Sequence, residues 1–236
     1  MMSQPTLKVT AVLPAFNAAA TIRRTYDAIP KNVVHEVILV DDASSDETVA
    51  VAEAIPGLHV IVHPRNRGYG GNQKTCYDEA LRRGAEIVVM IHPDFQYDPS
   101  KVQQMIAPLR EGAADMVIGS RFLNGNPRRQ GMDWWRCCGN RLLTSLQNAV
   151  LGTSLSECHS GYRAYTRALL ETVPYRRFSD DFSFDSQMIA VVARRRMRIT
   201  EVAIPVRYAS DSSSISFCKS VRYGLATLKT LLPEKP

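Results

Sequence analysis

Glu86-Ile87-Val88-Val89-Met90-Ile91-His92-Pro93-Asp94-Phe95-Gln96-Tyr97-Asp98-Pro99 joins an unbroken apolar run to a polar cluster. A short apolar run rich in β-branched residues reads as a buried strand. Polar residues placed just beyond such a strand sit where open α/β sheets bind their ligands. His92, Asp94 and Gln96 alternate along an extended chain, so all three can face one ligand. They offer an imidazole, a carboxylate and an amide oxygen, a donor set that can grip a divalent metal and its phosphates. The competing reading is a polar turn closed by Asp98-Pro99, with Pro99 starting the next helix.

Working outward, strand and helix signals alternate over the first 120 residues. The expected strands are Leu7–Leu13, Glu36–Asp41, Leu58–Val62, Glu86–Ile91 and Met116–Gly119. Between them lie helices over Ala19–Ala28, from Ser45 onward, over Gly71–Arg83 and over Pro99–Arg110. This pattern predicts a mostly parallel, twisted sheet covered by helices on both faces. After Gly119 the pattern changes. Phe122–Asp133 reads as a loop, Trp134–Leu151 as a helix, and Ser154–Thr166 as irregular. A helix over Phe184–Arg196, a strand over Ile199–Tyr208 and a helix over Phe217–Leu232 complete the expectation. With no internal repeat or linker, residues 1–236 read as one α/β domain.

Composition narrows the function. A chain of 236 residues with 45% hydrophobic and 22% charged content can bury a full core. No run approaches the roughly 20 apolar residues that span a bilayer, and Met1–Val12 lacks the signature of a signal peptide. A soluble or peripheral cytoplasmic protein is expected. The five cysteines show no metal-ligand spacing, and their odd number argues against a disulfide framework. The net charge of +6 suits anionic partners such as nucleotide phosphates, a lipid phosphate or an acidic membrane face. No zinc-finger spacing, aromatic RNA-binding box or long basic tail points to nucleic acid.

Four polar clusters follow four successive strands: Pro14-Ala15-Phe16-Asn17, Asp41-Asp42-Ala43-Ser44-Ser45-Asp46, Asn66-Arg67-Gly68-Tyr69-Gly70-Gly71-Asn72, and the His92 segment. In a parallel sheet such loops share the carboxyl edge and converge on one crevice. Singly, each has a bland reading. Asp46 can cap a helix, and Gly68, Gly70 and Gly71 can make a turn. The glycines match neither a P-loop nor the dinucleotide fingerprint.

In series, Val12-Leu-Pro-Ala-Phe-Asn17, Val40-Asp-Asp-Ala-Ser-Ser-Asp-Glu-Thr48, Asn66-Arg-Gly-Tyr-Gly-Gly-Asn72 and Ile118-Gly-Ser-Arg-Phe122 resemble family 2 glycosyltransferases of the GT-A fold. Within that family the chain looks most like the dolichyl- and polyprenyl-phosphate sugar transferases. The resemblance implies a nucleotide-sugar-binding half over about 7–120 and an acceptor half over about 121–232. Pro14, Phe16, Asn17, Val40, Asp42, His92 and Pro93 would line the donor pocket. Asp94 would be the second acid of the family's Asp-x-Asp motif, with Gln96 the metal-contacting residue after it. His92 takes the place of the first acid, so that His92, Asp94 and Gln96 would hold Mn2+ or Mg2+. An imidazole there should weaken hard Mg2+ and tolerate Mn2+ better.

The same resemblance makes Arg121 a catalytic group facing the donor diphosphate or acceptor phosphate, a task suited to its forked donors. Asn140, Arg141, Ser160 and Arg163 would line the acceptor site. Asp180 and Asp181 would lie beside the sugar, and Glu157 stands where some relatives carry Asp. The pocket acid often found after Asn17 is replaced by Ala18-Ala19-Ala20, which leaves the base, UDP or GDP, open. The implied reaction is an inverting transfer of hexose from a nucleotide-sugar to a polyprenyl phosphate at the cytoplasmic membrane face. A saccharide or other hydroxyl acceptor would instead require a carboxylate base, Asp181 or Asp180. Helix capping is the bland role for that pair. A silent nucleotide-sugar binder is the alternative that His92 motivates.

Two helices carry a further question. Trp134-Trp135-Arg136 opens a helix that could meet a membrane interface, and Phe217–Leu232 is amphipathic. Ordinary packing against the sheet is the competing reading for Leu142, Leu143 and Leu146.

Overall fold

The computed structural model of the chain describes residues 7–125, 127–206 and 217–231, the side chains of 217–223 excepted. Seven strands form one sheet: β1 (Val9–Ala15), β2 (Glu36–Asp41), β3 (Leu58–Val62), β4 (Ile87–Met90), β5 (Met116–Ser120), β6 (Arg163–Thr166) and β7 (Ile199–Ala203). Their order is β3-β2-β1-β4-β6-β5-β7. The helices are α1 (Ile22–Ala28), α2 (Thr48–Glu53), α3 (Gly68–Arg82), α4 (Val102–Arg110), α5 (Trp134–Leu151), α6 (Arg167–Thr172), α7 (Phe184–Arg194) and α8 (Phe217–Thr230).

All seven residues of β1 are buried, as expected of a central strand covered on both faces. Val9, Ala11, Leu13 and Ala15 join one core layer with Ile22 of α1 and Met105 and Ile106 of α4. Val12 turns to the opposite layer, with Ile38, Val88, Tyr77 of α3, and Phe184 and Met188 of α7. This alternation is the pleat expressed as two cores. β1 pairs in parallel with β2 on one side and β4 on the other. Chain order therefore reverses between β1 and β4, and a crevice opens at their carboxyl ends. The fold is mixed α/β around a mostly parallel sheet.

The expected elements are present with shifted ends: β1 runs later than Leu7–Leu13, α3 begins at Gly68, and β7 stops at Ala203. One expectation fails. Ser154–Thr166 is not irregular throughout, because Arg163–Thr166 forms β6, antiparallel to both neighbours. Its four residues carry no apolar run. Order comes from pairing on both edges, Met90 opposite Arg163 and Met116 opposite Tyr165. Helix α6 follows directly, its first turn capped by the Thr166 hydroxyl, which accepts from Leu169 N.

Candidate active site

Three loops leave the carboxyl edge through left-handed residues: Asn17 (φ 51°) after β1, Ala43 (φ 59°) after β2 and Phe95 (φ 55°) after β4. Such backbone costs about 1 kcal/mol or more per non-glycine residue and persists only where its surroundings fix it. Here a clasp of side chains does so. Asn17 N donates to Ser44 Oγ (2.8 Å), and Ser45 N donates to Asn17 Oδ1 (2.9 Å). Ala18 N donates to Thr48 Oγ1 (2.7 Å), and Asp41 receives both the amide and the hydroxyl of Ser44. Asp46 accepts from Thr48 N and Ala19 N. Burial works against its carboxylate, but the bonds from Thr48 and Ala19 outweigh it and hold the pKa below the ordinary value. From α3, Asn72 Nδ2 reaches Ala15 O (3.3 Å) and Val40 O (3.0 Å), tying the two strand ends together. Pro14 and Val40 lie buried beneath this rim, whereas Phe16 and Asn17 are exposed on it.

Asp42 has a structural commitment. Its carboxylate accepts from Arg67 N (2.8 Å) and Gly68 N (3.0 Å) and meets His63 Nδ1 (2.8 Å). It thus caps the start of α3 and is nearly inaccessible. The glycines that follow serve close approach. A Cβ on Gly70 would stand 2.3 Å from Ser179 O, and one on Gly68 2.5 Å from Asp180 O. Gly70 N donates to Asp180 O (2.8 Å). Lys74 Nζ reaches Phe178 O and Asp180 Oδ1 (2.7 Å). The glycine run therefore cradles the 178–182 segment of the chain itself. Asp180 is paired with Lys74, and Asp181 accepts from Ser183 N (2.7 Å) and Oγ (2.6 Å).

At the end of β4, His92 packs into a network with no local sequence signal. Its Nε2 lies 3.2 Å from Tyr69 Oη, and the two rings stack with centroids 5.5 Å apart. Tyr69 Oη donates to Asp185 Oδ2 (2.8 Å). Burial, reinforced by the Asp185 charge, pushes the phenol's pKa far above its usual value. Gly161 closes the other side, where a Cβ would sit 2.4 Å from His92 Nε2. Phe182 packs on Tyr69 with its ring tilted by 32° and the centroids 4.8 Å apart. Nε2 of His92, expected among the metal ligands, is thus engaged within the protein in this structure. Asp94 accepts from Gln96 N (3.0 Å) with one oxygen. Among the described residues no three His, Cys, Asp or Glu side chains gather to hold a metal. One carboxylate completed by substrate phosphates and water is nonetheless a usual way to bind Mg2+, so Asp94 fits an ion that arrives with a diphosphate.

On the acceptor side, Arg121 and Glu157 form a buried pair. Arg121 N and Nε donate to the Glu157 carboxylate at 2.8 Å each, with Nη2 also in contact. Asn140 Nδ2 adds a fourth donor (2.8 Å). The Arg121 charge is thus already shared within the protein, rather than freely facing a phosphate. Ser160 is fully buried, and its hydroxyl accepts from Tyr162 N. Arg163 is wholly buried and donates to Ser160 O, Asp185 O and Cys158 O, each at 2.9 Å. It staples the 158–160 loop to α7 and presents no charge to an acceptor. The residue expected to line the acceptor site thus has its side chain turned inward in this structure. Arg141 is exposed, its guanidinium 5.5 Å from the centroid of the Phe122 ring. Burial, with Arg163 and Arg121 adding to it, pushes the His159 imidazole down to about 3.

The Glycosyl transferase family 2 model matches residues 10–173. A UDP-N-acetylglucosamine–dolichyl-phosphate N-acetylglucosaminyltransferase of Methanococcus voltae is 23% identical over 85% of this chain and 86% of that protein. An undecaprenyl-phosphate mannosyltransferase of Micrococcus luteus is 28% identical over 84% of this chain and 83% of that protein. In fold, the chain is similar to glucosyl-3-phosphoglycerate synthase from Mycobacterium tuberculosis, solved in complex with Mn2+, UDP and glucosyl-3-phosphoglycerate. The TM-score is 0.74 at 23% identity, covering 95% of this chain and 78% of that one.

Proposed function

Because the chain belongs to glycosyl transferase family 2, we propose that it moves a hexose from a nucleoside-diphosphate sugar to a polyprenyl phosphate. The donor base, uracil or guanine, would rest on the rim of Phe16 and Asn17 above Pro14 and Val40. The diphosphate would reach toward Asp94 and Gln96, which would hold a divalent ion. Bound there, the ion would neutralise charge on the departing nucleoside diphosphate. Transfer would invert the anomeric centre by in-line attack, with the enzyme working at the cytoplasmic membrane face.

One observation carries the choice of acceptor. The two acids considered as a general base each hold local bonds through Oδ1, Asp180 with Lys74 and Asp181 with Ser183. A hydroxyl acceptor needs such a base; a lipid phosphate is already anionic and needs positioning. Relatives named as transferases to dolichyl phosphate and undecaprenyl phosphate support the same reading.

The test is transfer of labelled hexose from UDP- and GDP-sugars to a short-chain polyprenyl phosphate. Asp94→Ala should abolish turnover with an unchanged melting temperature, while Asp181→Asn should retain most of it. Full turnover by Asp94→Ala refutes the donor site, and collapse in Asp181→Asn transfers the case to a hydroxyl acceptor. A thermal-shift screen of nucleotide-sugars with and without Mn2+ identifies the donor, since a ligand specific to the native state must stabilise it.

A further inference from the structure

We propose that the outer face of α5 and α8 docks on an anionic lipid surface, with both helices lying in its plane. The inference deepens the lipid-phosphate reading and rests on it for the nature of the acceptor. Most of the large apolar side chains that the described residues leave exposed fall on these two helices: Trp134 (64% exposed), Leu142 (62%), Leu146, Val150, Leu225 (59%) and Leu228. Leu142, Leu146 and Val150 recur every four residues and so form one stripe of α5. Trp134 and the exposed Cys138 continue the same spacing toward its start. The two helices adjoin, since the Cβ position of Gly224 lies 3.5 Å from Leu143. Concentrated apolar exposure of this kind marks an interaction surface.

Charge identifies the occupant. Neither 134–151 nor 217–230 contains an Asp or Glu, whereas Arg141, Lys219, Arg222 and Lys229 belong to them, together with Arg136, which pairs with Asp133 at the start of α5 (3.2 Å). A second copy of the chain would set these cations against one another. An anionic bilayer accepts both the leucines and the charges, the pattern of an interfacial amphipathic helix. Among the described residues no helix is long and apolar enough to cross a membrane. The placement also serves the site. Asn140 on α5 donates to Glu157 inside the acceptor network (2.8 Å) while Leu142, two residues on, faces out. A lipid-borne phosphate then has only about one helix diameter, ~10 Å, to climb.

The test is flotation of the full chain with phosphatidylcholine vesicles, with and without phosphatidylglycerol. The parent protein is compared with Leu142→Gln/Leu146→Gln and with Leu225→Gln/Leu228→Gln. The expected result is salt-sensitive binding to the anionic vesicles, with partitioning weakened about tenfold or more by each leucine pair. Melting temperature and turnover on a short-chain, water-soluble polyprenyl phosphate should stay at parent values. The proposal is overturned if the parent does not float with anionic vesicles, or if both variants float as well as the parent. A concentration-dependent dimer that the leucine variants dissolve would equally overturn it, assigning the face to a second copy. Leucine-dependent flotation without turnover of the short-chain phosphate would uphold the docking face and refute the acceptor.

Discussion

Arg163→Leu tests whether the acceptor side is held by a buried cation or merely decorated by one. The native guanidinium is wholly inaccessible, donates to the carbonyls of Cys158, Ser160 and Asp185 at 2.9 Å each, and lies 3.6 Å from Asp185 Oδ1. Leucine fills much of the space but answers none of these acceptors. Removing one partner of a buried ion pair costs about 3–5 kcal/mol, because the other charge stays behind. Each carbonyl left dry adds about 1–3 kcal/mol, reduced where water enters. The better apolar packing of leucine offsets only part, so a net loss of about 4 kcal/mol is expected. For a chain of this size that is a fall of roughly 8–16 °C in melting temperature. Urea unfolding followed by circular dichroism measures it directly. Adding Asp185→Asn should recover about 1–2 kcal/mol, since the stranded charge is then gone and one oxygen remains for Tyr69. A loss below about 1 kcal/mol in the single variant would refute the account, because an arginine so placed cannot be idle.

Protonation gives a second expectation. His159, pushed down to about 3 by burial and the neighbouring arginines, is neutral in the folded chain. Unfolded, it would titrate near its ordinary value of about 6.5. Between these values the unfolded state binds more protons, so this contribution is fully present above about pH 6.5 and is lost as pH falls toward 3. The slope approaches about 1.4 kcal/mol per pH unit, and His159→Gln should flatten the pH dependence of stability across that window. Two glycines should respond with opposite signs in a thermal melt. Gly70→Ala must displace the Ser179 carbonyl, 2.3 Å from the new carbon, and should cost about 1–3 kcal/mol. Gly139→Ala, in mid-helix with open space around it, should add up to about 1 kcal/mol.

What the sequence disclosed follows from what is local. The bounds of β2, β3 and α5 are those expected, because apolar runs and helical periodicity are properties of neighbouring residues. The convergence of the loops after β1, β2 and β4 was also legible, since a parallel sheet leaves them no other edge. β6 was hidden because its order comes from Met90 and Met116, far away in the chain. The glycine run was ambiguous for the same reason: its partner is the backbone of 179–180, not a turn or a phosphate. Tyr69 lies within the 66–72 motif, but its partner Asp185 lies 116 residues away and in no motif, so their hydrogen bond in the wall of the site had no sequence signal. Arg163 shows the converse error. A matched motif position fixed its identity but carried no information on whether it is buried.

The hydrogen-bond directions around the imidazole at the end of β4 are linked. Tyr69 Oη has one hydrogen and gives it to Asp185, whose carboxylate can only accept. Toward His92 the same oxygen is then left to accept, and the 3.2 Å contact is satisfied in the tautomer with Nε2 as donor. A nitrogen that carries a proton is not a metal ligand, and Gly161 packs against this same nitrogen, where an added Cβ would lie 2.4 Å away. A negative charge present in the resembled motif is thus missing from the front of the site. It reappears one layer behind, as Asp185, where it orients His92 instead of binding an ion. If Asp94 faces the donor as proposed, that carboxylate brings a single charge to an ion there. The diphosphate must bring most of the rest. Metal and nucleotide-sugar should then stabilise the chain strongly together and weakly apart, which is how the thermal-shift screen with and without Mn2+ will distinguish this site from one built on two acids.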